Sequence, residues 1–240
     1  MATHELFYFD AYVRDFEARV EAVRPDGVVL DQSAFYPRGG GQPSDRGELS
    51  AGSSAWPVTS VVRRAGEIVH TVEGAPPDVG AVVHGALDWD YRYRLMRLHT
   101  ALHALSQVVW RGWGADVTGS NIYDTADRAR MDFALEHTRI NDIRDAIESH
   151  LNAELAAAHD VRVYDLPRAE ALQMPDLIRT HINLVPEHVA RIRITEIVGL
   201  DRQADGGTHV ANTREVGRIA IVNAENKGRL NRRLEIAFAP

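Results

Sequence analysis

The hydrophobic pattern of this chain changes period once, near Asp88-Trp89-Asp90, and that change constrains the architecture more than any other feature. Upstream, short β-branched runs such as Gly27-Val28-Val29-Leu30, Pro57 to Val62 and Glu67 to Val72 are punctuated by Gly, Pro and Asp. Several such runs at close spacing read as the strands of a small barrel. Gly74 to Gly80 reads as a turn. Phe9 to Val23 mixes apolar and charged residues and reads as a strand followed by either a short strand or a helix.

Downstream, Leu95, Leu98, Leu102, Leu105 and Val109 recur at helical spacing within Tyr91 to Trp110, and Gly112 and Gly114 mark the end. Arg128 to Leu135 alternates Ala129, Met131 and Phe133 against Arg130 and Asp132, as a strand does. A second helix is expected over Ile140 to His159 with Thr138 as its cap. A short helix should run from Pro167 to Leu172, with Pro167 at a favourable first position. Val189 to Ile197 reads as a strand with Arg191, Arg193 and Thr195 on one side and Ile192, Ile194 and Glu196 on the other. Gly217 to Val222 and Arg233 to Phe238 read as a terminal strand pair joined by Asn226-Lys227-Gly228. The expected class is α+β: a small N-terminal β-barrel over residues 1–90, then an α+β domain with a central antiparallel sheet over residues 91–240.

The chain has no cysteine among its 240 residues. A disulfide framework, a thiolate nucleophile and a cysteine zinc site are therefore excluded, so any metal must be held by histidine and carboxylate. A net charge of −7 argues against a protein that coats nucleic acid non-specifically. Basic residues nevertheless cluster locally. Arg92, Arg94 and Arg97 occur together without an acid, and Arg214, Arg218, Lys227, Arg229, Arg232 and Arg233 outnumber Glu215 and Glu225. These can meet phosphates, although each taken singly reads better as a solvated surface charge than as a contact. The N-terminus lacks a basic stretch followed by an apolar one, and no apolar run approaches the roughly 18 residues of a membrane span. A cytoplasmic protein without a membrane partner is expected, and no obligate protein partner is evident.

Chemistry concentrates in two histidine clusters. His99 and His103 are four apart on the first helix, so both lie on one face and can share one ion. Thr100 stands where a zincin-type protease carries its general-base Glu, which removes that chemistry. The second cluster is Asp205-Gly206-Gly207-Thr208-His209, whose glycines suit a tight turn bringing Asp205 and His209 to one point. Three imidazoles and a carboxylate complete a tetrahedral divalent set, with Asp205 the less secure member. Upstream, Gly39-Gly40-Gly41-Gln42 is neither a Walker motif nor a dinucleotide fingerprint. Its bare tip can lie against a substrate, with Gln42 offering a donor and an acceptor.

In order, Ala34-Phe35-Tyr36-Pro37-Arg38-Gly39-Gly40-Gly41-Gln42-Pro43-Ser44-Asp45, His99-Thr100-Ala101-Leu102-His103 and Asp205-Gly206-Gly207-Thr208-His209-Val210 resemble the freestanding alanyl-tRNA editing proteins of the AlaX family. Thr118-Gly119-Ser120, Arg130-Met131-Asp132-Phe133 and the segment from Glu225 to Arg233 extend the resemblance over nearly the whole chain. It implies a translation-factor-like barrel ahead of an editing domain, and a zinc-dependent deacylase acting in trans on Ser-tRNA(Ala), often also on Gly-tRNA(Ala). The partner implied is the acceptor end of mischarged tRNA(Ala). The family's fourth ligand is commonly the Cys of Cys-Gly-Gly-Thr-His, here replaced by Asp205, so one Zn2+ or another divalent ion is expected. Gln42, Thr100, Thr118 and Ser120 are the candidates for contacting the substrate's hydroxyl or ester, Ser120 nearest the position where related proteins keep a hydroxyl. Thr118 and Ser120 read equally well as turn residues around Gly119. Gly39, Gly40, Gly41, Arg92, Arg94, Lys227, Arg232 and Arg233 are candidates for tRNA contact. Alternatives are a tRNA-binding module with a structural metal, editing of another mischarged tRNA such as Ser-tRNA(Thr), and, more weakly, a metallohydrolase for small esters.

Overall fold

The computed structural model describes residues 3–136, 138–174, 177, 189–228 and 230–240. It opens with β1 (His4–Glu5), β2 (Asp15–Arg24), β3 (Gly27–Leu30), β4 (Gln32–Ser33), β5 (Gly47–Ala51), β6 (Ser54–Arg64), β7 (Glu67–Val72) and β8 (Val82–Leu87). Six of these close into a barrel in the order β2-β3-β7-β6-β5-β8. Its interior is set by alternation: β2 buries Phe16, Ala18 and Val20 and exposes the residues between them. Phe16 faces Gly85 across the β2–β8 pair, where a Cβ would stand 2.5 Å from the ring, so the barrel closes there only around a glycine. Phe9 to Val23 therefore holds one long strand, with neither a second strand nor a helix inside it; the nearby helical turn lies earlier, at Leu6–Tyr8.

The glycine run is a two-residue hairpin. Gly39 and Gln42 exchange backbone hydrogen bonds of 3.1 and 2.9 Å, and Gly40 and Gly41 between them have φ of +57° and +82°. Both central positions need the left-handed region, as in a type I′ turn. Just beyond it, Asp45 meets Arg92 in the interior of the same unit. Arg92 Nε lies 2.8 and 2.9 Å from the two Asp45 oxygens, and its other nitrogens donate to Ala11 O and Ala34 O. The side chains are 0% and 1% exposed. Arg92, expected at a phosphate, is thus corrected to an internal tie, because its whole fork is spent on Asp45 and two carbonyls.

The long helix α1 (Trp89–Trp113) starts where Asp88 Oδ1 accepts from Tyr91 N–H, an N-cap. It is followed by β9 (Val117–Ile122), β10 (Arg128–Ala134), α2 (Ile140–Ala156), β11 (Val161–Pro167), α3 (Arg168–Ala171), β12 (Arg191–Ile197), β13 (Asp201–Ala204), β14 (Ile219–Lys227) and β15 (Asn231–Phe238). The chain divides into compact units Met1–Leu95 and Met96–Pro240. Among the described residues the second unit has two antiparallel sheets, β14-β15-β10-β9 and β11-β12-β13, rather than one central sheet. Residues 98–109 of α1 are buried on every side, so its polar residues are internal and require partners.

Three local expectations are corrected. Thr138 does not cap α2: Arg139 occupies the cap without a side-chain bond, and Ile140 N–H is met instead by Asn226 Oδ1 of β14. Pro167 ends β11 and caps α3 rather than entering it, and α3 stops at Ala171. Thr118-Gly119-Ser120 belongs to strand β9, not to a turn.

Candidate metal centre

Helical periodicity places His99 and His103 on adjacent turns of α1, with ring centroids 5.2 Å apart. The remaining two groups arrive from the segment after β13. Asp205 N–H still donates to Arg193 O at 3.1 Å, so strand pairing continues one residue past β13. The chain then turns through an Asx-type contact, Gly207 N–H to Asp205 Oδ2 at 2.8 Å. Gly206 and Gly207 do not have positive φ; the carboxylate, rather than glycine's conformational freedom, shapes this turn. His209 follows, its ring 4.3 Å from that of His99 and 4.7 Å from that of His103. One ligand atom from each of His99, His103, Asp205 and His209 lies within 4.8 Å of all the others. The histidines are 4–6% exposed, which leaves a narrow opening.

Each carboxylate oxygen of Asp205 faces a different imidazole: Oδ2 is 2.9 Å from His209 Nε2 and Oδ1 is 3.5 Å from His99 Nε2. Arg193, buried on β12, donates to Asp205 O at 3.0 Å and fixes that backbone. Burial pushes the His99 imidazole down to about 4, against the pull of Asp205, so it is neutral near pH 7. Burial and the neighbouring His99 likewise hold His209 well below its ordinary value. Burial opposes ionisation of Asp205, but the three imidazoles outweigh it and its carboxyl lies well below the usual carboxylate range.

Thr100 decides which nitrogen of His209 is available. Its hydroxyl donates to Met96 O at 2.9 Å, so toward His209 Nδ1, 3.1 Å away, it acts as an acceptor. Nδ1 then carries the proton, and the Nε2 lone pair points at a carboxylate oxygen 2.9 Å away. Two lone pairs at that distance call for a cation between them. A proton is disfavoured by burial, whereas a divalent ion suits nitrogen and oxygen donors in this arrangement. The residues therefore fit a metal. The hydroxyl of Thr100 also accepts from Val210 N–H, so it is committed to protein groups and not, as expected, to substrate.

The other expected site residues are placed as follows. Gln42 is 1% exposed in the barrel unit's hairpin. Ser120 pairs opposite buried Met131 and shares its face of the sheet. Thr118 is exposed at a bulge, where Oγ1 donates to Asn231 Oδ1. Gly39, Gly40 and Gly41 form the hairpin tip, and Gly40 is exposed. Arg94 and Lys227 are exposed, Lys227 beside Glu225. Arg232 is 7% exposed and caps Thr138 O and Gly228 O, which corrects its expected role at a phosphate. Arg233 holds Asp132 through two bonds of 2.7 and 2.8 Å. Arg229 lies outside the described residues. Asp201, absent from the sequence reading, stands 3.3 Å from His103 Nδ1. A lone Asp on a polar four-residue strand carries no pattern that marks it.

Residues 7–91 match the family model described as tRNA synthetases class II (A). Residues 192–235 match the threonyl and alanyl tRNA synthetase second additional domain. An alanyl-tRNA editing protein AlaX-M of Saccharolobus solfataricus is 39% identical over 243 residues, covering 99% of this chain and 100% of that protein. Its namesake from Methanosarcina barkeri is 37% identical, with 97% of each chain covered. An alanine–tRNA ligase of Pyrobaculum neutrophilum is 39% identical over 93% of this chain, which spans 25% of the ligase.

Proposed function

This chain belongs to the AlaX family of alanyl-tRNA editing proteins, and on that premise we propose that it is a trans-acting hydrolase releasing serine from mischarged tRNA(Ala) in the cytoplasm. In this reading residues 1–90 form the barrel domain and residues 91–240 the editing domain. The observation that carries the reading is the convergence of three buried imidazoles and one half-buried carboxylate, from segments about a hundred residues apart, within 4.8 Å. His99, His103, His209 and Asp205 would hold one divalent ion, zinc by preference. A bound ion supplies a Lewis acid for the ester carbonyl and lowers the pKa of the attacking water.

The rest of the chemistry falls to the chain. Asp205 engages His99 and His209 together, so it sets the spacing of the donors. Thr100 keeps the proton of His209 on Nδ1, away from the ion. Ser120 hydrogen-bonds the hydroxyl of a seryl group, and an alanyl group would leave that partner unmet. A synthetase pocket built for alanine rejects serine or glycine poorly by binding alone, which is the need such a hydrolase answers. Gly40 of the hairpin tip, Arg94 and Lys227, each exposed, contact the tRNA.

The test is deacylation of Ser-, Gly- and Ala-tRNA(Ala) by the full chain, with and without chelator. Serine release that chelator abolishes and zinc restores, with alanine spared, is expected. Equal hydrolysis of seryl and alanyl esters, or indifference to chelator, would overturn the reading. An inactive chain that binds tRNA tightly would favour the non-catalytic module, and preference for Ser-tRNA(Thr) would redirect the substrate.

A further inference from the structure

We infer that Asp201 is the positioning residue for His103: in the ion-bound protein its carboxylate accepts a hydrogen bond from Nδ1–H of that imidazole and so presents Nε2 to the ion. The inference rests on the metal reading above and extends it to a residue outside the ligand set.

The register of β13 puts Asp201 there. Side chains two apart on a strand share a face. Asp201 pairs with Ile197, Gln203 pairs with Thr195, and Asp205 N–H meets Arg193 O, so Asp201, Gln203 and Asp205 all project from one face. One strand thus supplies two carboxylates four residues apart, Asp205 to the donor cluster and Asp201 to the rear of His103. The Asp201 side chain is 0% exposed and its Oδ2 lies 3.3 Å from His103 Nδ1. The same Oδ2 accepts from Gln203 Nε2 at 2.8 Å, which holds the carboxylate in place.

Physical cost makes an incidental role a poor account. A carboxylate taken wholly out of water needs compensating charge or several donors. An imidazole that is itself bound to a divalent ion becomes a much stronger donor, and a buried carboxylate behind it raises the basicity of the ligating nitrogen. The two groups therefore stabilise each other most when an ion is bound. Thr100 does the same for His209 with a neutral acceptor. Two of the three imidazoles are thereby fixed in the same tautomer, with Nε2 turned toward the ion.

The experiment is a zinc and cobalt titration of the chelator-stripped full chain, wild type against Asp201→Asn, with a competing chromophoric chelator. Wild type is expected to bind one ion. Asp201→Asn should bind zinc about 10–100-fold more weakly and shift the visible cobalt bands, while the circular dichroism of the stripped forms stays the same. Binding within twofold of wild type, with unchanged cobalt bands, would overturn the inference and leave the metal reading intact. A wild type that binds no ion would overturn both. Should Asp201→Asn fail to fold, a crystal structure of the zinc-loaded wild type decides. Ligation by His103 Nε2 with Nδ1 on Asp201 supports the inference, and ligation through Nδ1 refutes it.

Discussion

Thr100 shows how much one side chain can govern. Its hydroxyl donates to Met96 O and accepts from His209 and from Val210 N–H, so it ties the helix to the loop that carries the third imidazole. Thr100→Val keeps the shape but strands a buried Nδ1–H, at a cost of about 1–3 kcal/mol. Thermal melting of the metal-free variant should read that loss, and zinc affinity should fall about tenfold. Asp205 is tested by exchange. Asp205→Ala should purify without stoichiometric metal, whereas Asp205→Cys should retain zinc, as elemental analysis will report. At Ser120, replacement by Ala should weaken hydrolysis of the seryl ester while metal content stays unchanged. Thr118→Val, at an exposed bulge, should leave it alone. The spacing of His99 and His103 is legible because a helix turns by a fixed angle per residue. The partners behind them are not, since a single buried Thr or Asp makes no pattern.

Elements were legible where burial is one-sided. In β2 one face is core and the other solvent, in β10 one face is core and the other half-buried and polar, and the alternation stands in the sequence. In β9 and β13 it does not: Val117–Ile122 carries Thr, Gly, Ser and Asn, and Asp201–Ala204 is mostly polar. In β9 only the end residues Val117 and Ile122 are buried and apolar, and in β13 the buried residue is Asp201, so hydropathy passes over both strands. The same holds for the start of α2, where a distant Asn226 does the work expected of a neighbouring cap. Arg92 is the sharper case. A basic residue beside Arg94 and Arg97 looks like surface, yet it sits inside against Asp45. Asp45→Ala would leave the guanidinium buried and uncompensated, and should destabilise the barrel unit by about 3–5 kcal/mol, read by urea unfolding.

At the scale of the whole molecule, buried imidazoles set an acid limit. His70 is fully buried in the barrel unit, where Nδ1–H donates to Val28 O and Nε2 accepts from Ser33 Oγ. Burial pushes it down to about 4. Above pH 6.5 it is neutral whether the chain is folded or not, and its contribution is fully present. Between 6.5 and 4 the unfolded chain takes up a proton that the folded one refuses, so stability falls as the medium acidifies. The loss is on the order of 2–3 kcal/mol across that window, and metal-free His99 adds the same dependence. Urea midpoints at pH 7.5 and 5 should differ accordingly, and His70→Gln should narrow the difference. What the sequence determined alone is what the backbone repeats locally: the change from strand to helix near Asp88, the shared helical face of His99 and His103, and the donor chemistry left when cysteine is absent. Only the tertiary structure decided that Asp205 and His209 reach that face, that Arg92 turns inward and that Asp201 stands behind His103. Those contacts join residues far apart in the chain, and their energy comes from removing both partners from water together, which no local pattern encodes.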